Sequence, residues 1–349
     1  MSLKHPKFIA AVVQAAPEFL DVEKSVDKTI SLIAEAAAKN ASLIAFPEDW
    51  IPGYPWWIWL DAPAWGFQKG FVQRYFDNSL SYDDPGAKRI SDAARDYKIC
   101  VSLGLAERRG GSVYIGNWII DDNGRTLIRR RKLKPTHMER TVFGEGDGSD
   151  LVVKDSALGR IGALACWEHL QPLSKYAMYS QDEQVHIAAW PSFSLYSGIA
   201  YSLGAEVSLA ATQTYALEGG CFVLAPSAVT SQAMVDLICD TEKKKKLLTV
   251  GGGYSTIFGP DGIPLVERRA ADWEGLICAE IDLGLISLAK AAADPAGHYA
   301  RADVTRLLIN RSPNVRVEEF RLPISSSGHR ENTGSSFEEV AHKTPNPTE

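Results

Sequence analysis

The chain has 349 residues, 45% of them hydrophobic and 23% charged, which excludes disordered and fibrous classes for its bulk and leaves length for one or two cored domains. The net charge of −6 argues against nucleic acid or an anionic membrane as a partner. Five cysteines at wide spacings, with no C-x-x-C, exclude a disulfide framework and a zinc ribbon and point to a reducing, cytoplasmic compartment.

In chain order, Phe8 to Gln14 reads as a buried strand. Its apolar run is shorter than the ~7–15 residues of a secretory h-region, so no leader is expected. Val22, Val26, Ile30, Ile33 and Ala37 recur at helical spacing between Asp21 as N-cap and Asn40 as stop. Ala41 to Phe46 is the next strand, closed by Pro47. Asp84-Pro85 opens a helix through Ala87, Ile90, Ala94 and Tyr97, and Ile99 to Leu105 follows as a strand. Tyr114–Ile120 and Thr126–Arg130 form a hairpin around Asp121–Gly124, and Ser255–Phe258 and Ile263–Val266 form another around Gly259–Gly262. Between the hairpins lie the strand Ile161–Cys166, the apolar run Val185–Ala189, a helix from Leu203 to Leu217 ending at Gly219-Gly220, and the strand Cys221–Leu224. Gln184 to Ala205 is uncharged, but Pro191, Gly198 and four serines interrupt it, so no membrane span is expected. This mixture means α/β with mixed sheets. Residues 1–322 read as one domain and 323–349 as a polar tail, flexible or involved in assembly.

Three segments carry chemistry. Leu43 to Trp50 places Glu48 just past the carboxyl end of a strand, where α/β proteins build sites. By itself such an acid is also an ordinary loop residue. Arg129 to Arg140 is a charge run, yet a strand continued from Thr126 turns Lys132 the same way as Ile128 and Arg130. An ammonium held in a cleft donates to developing negative charge. The strand in Gly159–Pro172 delivers Cys166 to a sharp turn, and a helix opening at Pro172 would lower the thiol pKa. His169 serves that turn, and Cys166, Glu168 and His169 lack further ligands at zinc spacing, so no metal is expected. Lys243–Lys246 reads as a solvated face. Trp50–Trp59 holds four of nine tryptophans and reads equally as a packed cover, a subunit contact or one wall of an apolar pocket.

Together, Phe46-Pro-Glu48, Arg131-Lys132 and Cys166-Trp-Glu-His169, with Glu145-Gly-Asp-Gly148 upstream, resemble the nitrilase branch of the nitrilase/amidase superfamily from Phe8 to about Leu322. Gly297-His-Tyr299 with Arg301 and Asp303 resembles a further motif of that family, with Ala302 where proline is common. The resemblance implies an α-β-β-α sandwich of two mixed sheets with helices outside. It implies Glu48 as base, Lys132 as the cation of the tetrahedral intermediate, Cys166 as nucleophile and Glu139 as the group orienting Lys132 or the substrate. By the same resemblance Tyr54, Phe143, Trp167 and Trp190 are substrate-binding candidates, and such a pocket suggests arylacetic or aliphatic nitriles. No cofactor is implied. The implied partners are a small nitrile and further copies of the chain, as homodimers building spiral oligomers. Cyanide dihydratase or hydratase, amide or carbamoyl hydrolysis, and a non-catalytic binding protein of the same fold are the alternatives.

Overall fold

The structure, a computed structural model, describes residues 5–320. Of the described residues, those up to Pro313 form one compact unit, and those from Asn314 to Phe320 fall outside it. The expected assembly tail, 323–349, lies outside the described residues.

The first half begins β1 (Lys7–Gln14), α1 (Val22–Ala38), β2 (Ala41–Ala45), α2 (Pro63–Gln68), α3 (Phe71–Asn78), α4 (Pro85–Asp96), β3 (Cys100–Arg109), β4 (Ser112–Ile120), β5 (Thr126–Arg131) and β6 (Phe143–Gly144). The second half runs β7 (Val153–Ser156), β8 (Gly159–Ala165), α5 (Pro172–Tyr179), β9 (Val185–Ala189), α6 (Ala205–Gly219), β10 (Phe222–Ala225), α7 (Gln232–Ile238), α8 (Glu242–Leu247), β11 (Thr256–Phe258), β12 (Gly275–Asp282) and α9 (Leu285–Ala292).

One sheet has the order β12-β1-β2-β3-β4-β5, with β6 beside β4, and the other has the order β11-β10-β9-β8-β7. Each is parallel at its centre and antiparallel at its edges. Period-two alternation sorts the layers. Ala10 and Val12 of β1 meet Ile187 and Leu224 of the other sheet in one core, while Ala11 and Val13 face Val26 and Ile33 of α1 and Ile90 of α4. On the second sheet Leu164 and Val223 turn outward against Met178 of α5 and Tyr215 of α6. The result is the four-layer α-β-β-α sandwich of two mixed sheets.

Some elements differ from the sequence reading. The return strand at Ile263–Val266 shrinks to a single bridge at Pro264, which has no N–H to donate to a ladder. Asp84 stands at the N-cap of α4, but its side chain makes no capping hydrogen bond; its carboxylate accepts from Ser81 N and pairs with Arg108. Lys244 is not solvated: it is buried against Asp61, Asp240 and the Trp65 ring. β6, β7, β12, α2, α3, α7 and α9 carry no signal recognised in the sequence.

Candidate active site

Glu48, Lys132, Cys166 and Trp190 follow the carboxyl ends of β2, β5, β8 and β9. Two ties hold these ends together across the sandwich. Glu48 N donates to Trp190 O at 3.3 Å. Glu168 accepts from the two terminal guanidinium nitrogens of Arg130 at 2.7 and 2.8 Å, from Leu133 N at 2.9 Å and from Ala165 N at 2.8 Å. One buried carboxylate thus clamps the strand ends that deliver the lysine and the cysteine. Burial pushes the Glu168 pKa up, but the Arg130 charge and the hydrogen bonds from Arg130, Leu133 N and Ala165 N together hold it below its ordinary value.

The alternation expected along β5 is present: Ile128, Arg130 and Lys132 are buried, while Arg129 leans on Tyr82 and Arg131 pairs with Glu107. Lys132 Nζ lies 2.8 Å from Glu48 Oε1 and 2.8 Å from Glu139 Oε2. Glu139 also accepts from Thr136 N at 2.6 Å and from Tyr54 Oη at 2.7 Å, and Trp59 Nε1 donates to Tyr54 Oη at 3.1 Å. Every member of the Glu48–Lys132–Glu139–Tyr54 chain is buried. Burial alone would lower the Lys132 pKa, but the Glu139 and Glu48 charges win and hold the ammonium protonated. Burial, opposed by Lys132 and reinforced by Glu139, pushes Glu48 up to about 7. Glu48 Oε2 has no hydrogen-bond partner among the described residues, which leaves one carboxylate oxygen open to a proton.

Cys166 sits at φ +48°, the left-handed region, at the turn between β8 and a short 3-10 segment, Cys166–Leu170. The expectation of a helix-lowered thiol pKa fails here. α5 begins only at Pro172, and burial together with the Glu48 charge raises the thiol pKa. The thiol therefore needs a base at the moment of attack.

Cys166 opens on a cavity of about 50 Å³, walled mainly by Tyr54, Trp56, Trp59, Trp167, Trp190 and Phe193, with Glu139 also on its lining. Four of the sequence candidates, Tyr54, Glu139, Trp167 and Trp190, thus meet Cys166 there. Phe143 does not line it; the ring packs edge-on against Tyr75, 5.8 Å away. The sequence reading missed the Glu168–Arg130 clamp, although the Cys-Trp-Glu-His motif and the β5 alternation contain both residues. It also missed Phe193, whose segment carries no periodic signal. Among the described residues no group of His, Cys, Asp or Glu is arranged to hold a metal ion, and no helix is long and apolar enough to cross a membrane.

A strand-end cysteine facing a carboxylate–ammonium–carboxylate row on a four-layer sandwich defines a class of hydrolase, and the chain belongs to the carbon–nitrogen hydrolase family, matching it over residues 9–291. It is 57% identical over 93% of its length to a nitrilase of Pseudomonas syringae pv. syringae, covering 96% of that protein. It is 52% identical to an arylacetone-specific nitrilase of Alcaligenes faecalis (88% of this chain, 87% of that one) and 51% identical to an aliphatic nitrilase of Rhodococcus rhodochrous (89% and 84%). Among solved structures, a carbon–nitrogen hydrolase from Helicobacter pylori superposes with a TM-score of 0.67 at 18% identity, covering 85% of this chain and 97% of that one.

Proposed function

We propose that the chain is a nitrilase, converting a nitrile and two waters to a carboxylic acid and ammonia with Cys166 as nucleophile. The observation that carries this reading is the buried Lys132, held between Glu48 and Glu139 next to a cysteine that opens on an apolar cavity. The thiol proton passes to Glu48 as Sγ bonds to the nitrile carbon, and the displaced π pair goes to nitrogen, which takes that proton back. Water adds to the thioimidate, and Lys132 faces the charge of the tetrahedral intermediate. Ammonia leaves, and a second water, activated by Glu48, releases the acid. Glu139 fixes Lys132 and, with Tyr54, one wall of the cavity.

The aromatic lining suits an apolar substituent. The volume is about a third of the roughly 150 Å³ at which an apolar cavity takes up benzene. A slender aliphatic nitrile fits this volume as it stands, whereas the ring of an arylacetonitrile exceeds it. In the same reading the protein acts in the cytoplasm, in keeping with five free cysteines, and assembles as homodimers that build spiral oligomers.

The test is to incubate wild type and Cys166→Ala with an aliphatic dinitrile, phenylacetonitrile, mandelonitrile, cyanide and a matching amide, and to assay ammonia and acid. Acid and ammonia from the organic nitriles, lost in Cys166→Ala, support the reading. Turnover of cyanide or amide alone replaces it with the corresponding activity, and no turnover at all favours a binding protein.

A further inference from the structure

Behind the nucleophile runs a row of buried polar side chains that the reaction above does not use. His169 Nδ1 lies 2.7 Å from the Cys166 carbonyl oxygen. His169 Nε2 lies 2.9 Å from His186 Nε2, His186 Nδ1 lies 2.8 Å from Glu183 Oε1, and Tyr215 Oη lies 2.6 Å from Glu183 Oε2. All four side chains are buried, 0–1% exposed, so water completes none of these pairs. His186 points to the helix face of β9, where Tyr215 of α6 stacks on it with ring centres 3.8 Å apart.

The end of the row fixes the direction of every proton in it. A carbonyl oxygen only accepts, so His169 carries its proton on Nδ1. Neutral His169 then presents a bare Nε2, and His186 must donate to it from its own Nε2. Neutral His186 in turn presents a bare Nδ1, and Glu183 must be protonated to donate to it. The Tyr215 hydroxyl donates to the other Glu183 oxygen. Four hydrogen bonds therefore point one way, from Tyr215 to the Cys166 carbonyl, and bonds so aligned polarise and strengthen one another. The neutral form agrees with burial, which pushes Glu183 up to about 8, His169 down to about 3 and His186 well below its ordinary value. The backbone also makes room for the acid. A Cβ at Gly162 on β8 would lie 2.2 Å from Glu183 Oε1.

We propose that Tyr215, Glu183, His186 and His169 are positioning residues: a neutral, one-directional hydrogen-bond chain that fixes the Cys166 carbonyl and, through it, the left-handed backbone that aims the thiol. The chain works on the residue that most needs it, because a non-glycine residue at positive φ is held only where its surroundings over-determine it. This inference rests on the reading of Cys166 as nucleophile.

The test compares Glu183→Met with Glu183→Gln. Methionine fills similar space but cannot donate. Glutamine donates to His186 through its amide N–H and accepts from Tyr215 through its carbonyl, so it rescues the chain. Kinetics with an aliphatic nitrile, the rate of Cys166 alkylation by iodoacetamide and the melting temperature are measured on each, with Cys166→Ala in the same assay. We expect Glu183→Met to lose about ten- to a hundredfold in kcat, with KM little changed and alkylation slowed, while Glu183→Gln stays near wild type. Gly162→Ala, which crowds the same carboxyl, should behave like Glu183→Met. Wild-type kcat and alkylation in Glu183→Met, with only the melting temperature lowered, would overturn the proposal, and so would a glutamine variant as impaired as the methionine one. Activity retained in Cys166→Ala would instead sink the nucleophile reading. If Glu183→Met does not fold, ¹⁵N-histidine NMR of the wild type decides: His169 protonated at Nδ1 and His186 at Nε2 alone is the expected pattern. A doubly protonated His186 or the opposite tautomers would contradict it.

Discussion

Lys132 is the residue on which the site's electrostatics turn, because two buried carboxylates share its ammonium. Replacing Lys132 with alanine leaves Glu48 and Glu139 without a counter-charge in a dry environment. We expect kcat to fall by ~10²–10³-fold or more. Lys134→Ala, which removes an exposed lysine paired with Glu145, should stay near wild type. Reversed phenotypes in a steady-state assay would assign the role to the wrong lysine. Glu48 sets the acid side of the pH profile. Its carboxylate must be unprotonated to take the thiol proton, and burial raises it to about 7. kcat/KM should therefore climb as pH rises through about 7, and a profile flat from pH 5 to 8 would remove Glu48 as the base. Glu48, Lys132 and Cys166 were legible in the sequence because each lies at a strand end inside a specific motif. Phe143 misled because the resemblance placed it near the pocket while its ring belongs to the core around Tyr75. The thiol pKa misled because burial and the Glu48 charge raise it, while a 3-10 turn separates Cys166 from the helix that starts, as read, at Pro172.

At the level of elements, the loop after β2 reaches the site because β3 has no side chain at Gly104. A Cβ there would stand 1.9 Å from the Pro47 carbonyl oxygen. Gly104→Ala should push the Pro47–Glu48 backbone away, lower stability by about 1–3 kcal/mol and depress kcat. Unchanged kcat and melting temperature would show that the loop has slack. Helical periodicity with one buried face made α1 and α4 readable, and unbroken apolar runs, buried on both faces, made β1, β2 and β3 readable. β12 was not readable. Its outward residues Cys278, Glu280 and Asp282 vary in character, and only pairing with β1 along eight positions makes it a strand. α8 was misjudged because a lysine run looks solvated, yet Lys244 is drawn inward by Asp61, Asp240 and the face of Trp65. Pairing across distant sequence decided both cases.

Across the whole molecule, the two sheets each contribute half of the site: β2 and β5 bring Glu48 and Lys132, and β8 and β9 bring Cys166 and Trp190. The mixed α/β class followed from the sequence pattern alone. The four-layer stacking did not, because strand order depends on which edges pair rather than on any local signal. The proposed assembly belongs to this scale as well. Cutting the chain after Pro323 should yield smaller particles by light scattering with catalysis per chain retained, and unchanged size would free the tail of that role. The central claim, covalent catalysis at Cys166, has its most direct test in rapid acid quench during turnover of an aliphatic nitrile, followed by peptide mass spectrometry. An acyl or imidate adduct is expected on the peptide bearing Cys166 and none in Cys166→Ala, which should also be inactive. An adduct on another cysteine, or undiminished turnover by Cys166→Ala, would contradict it.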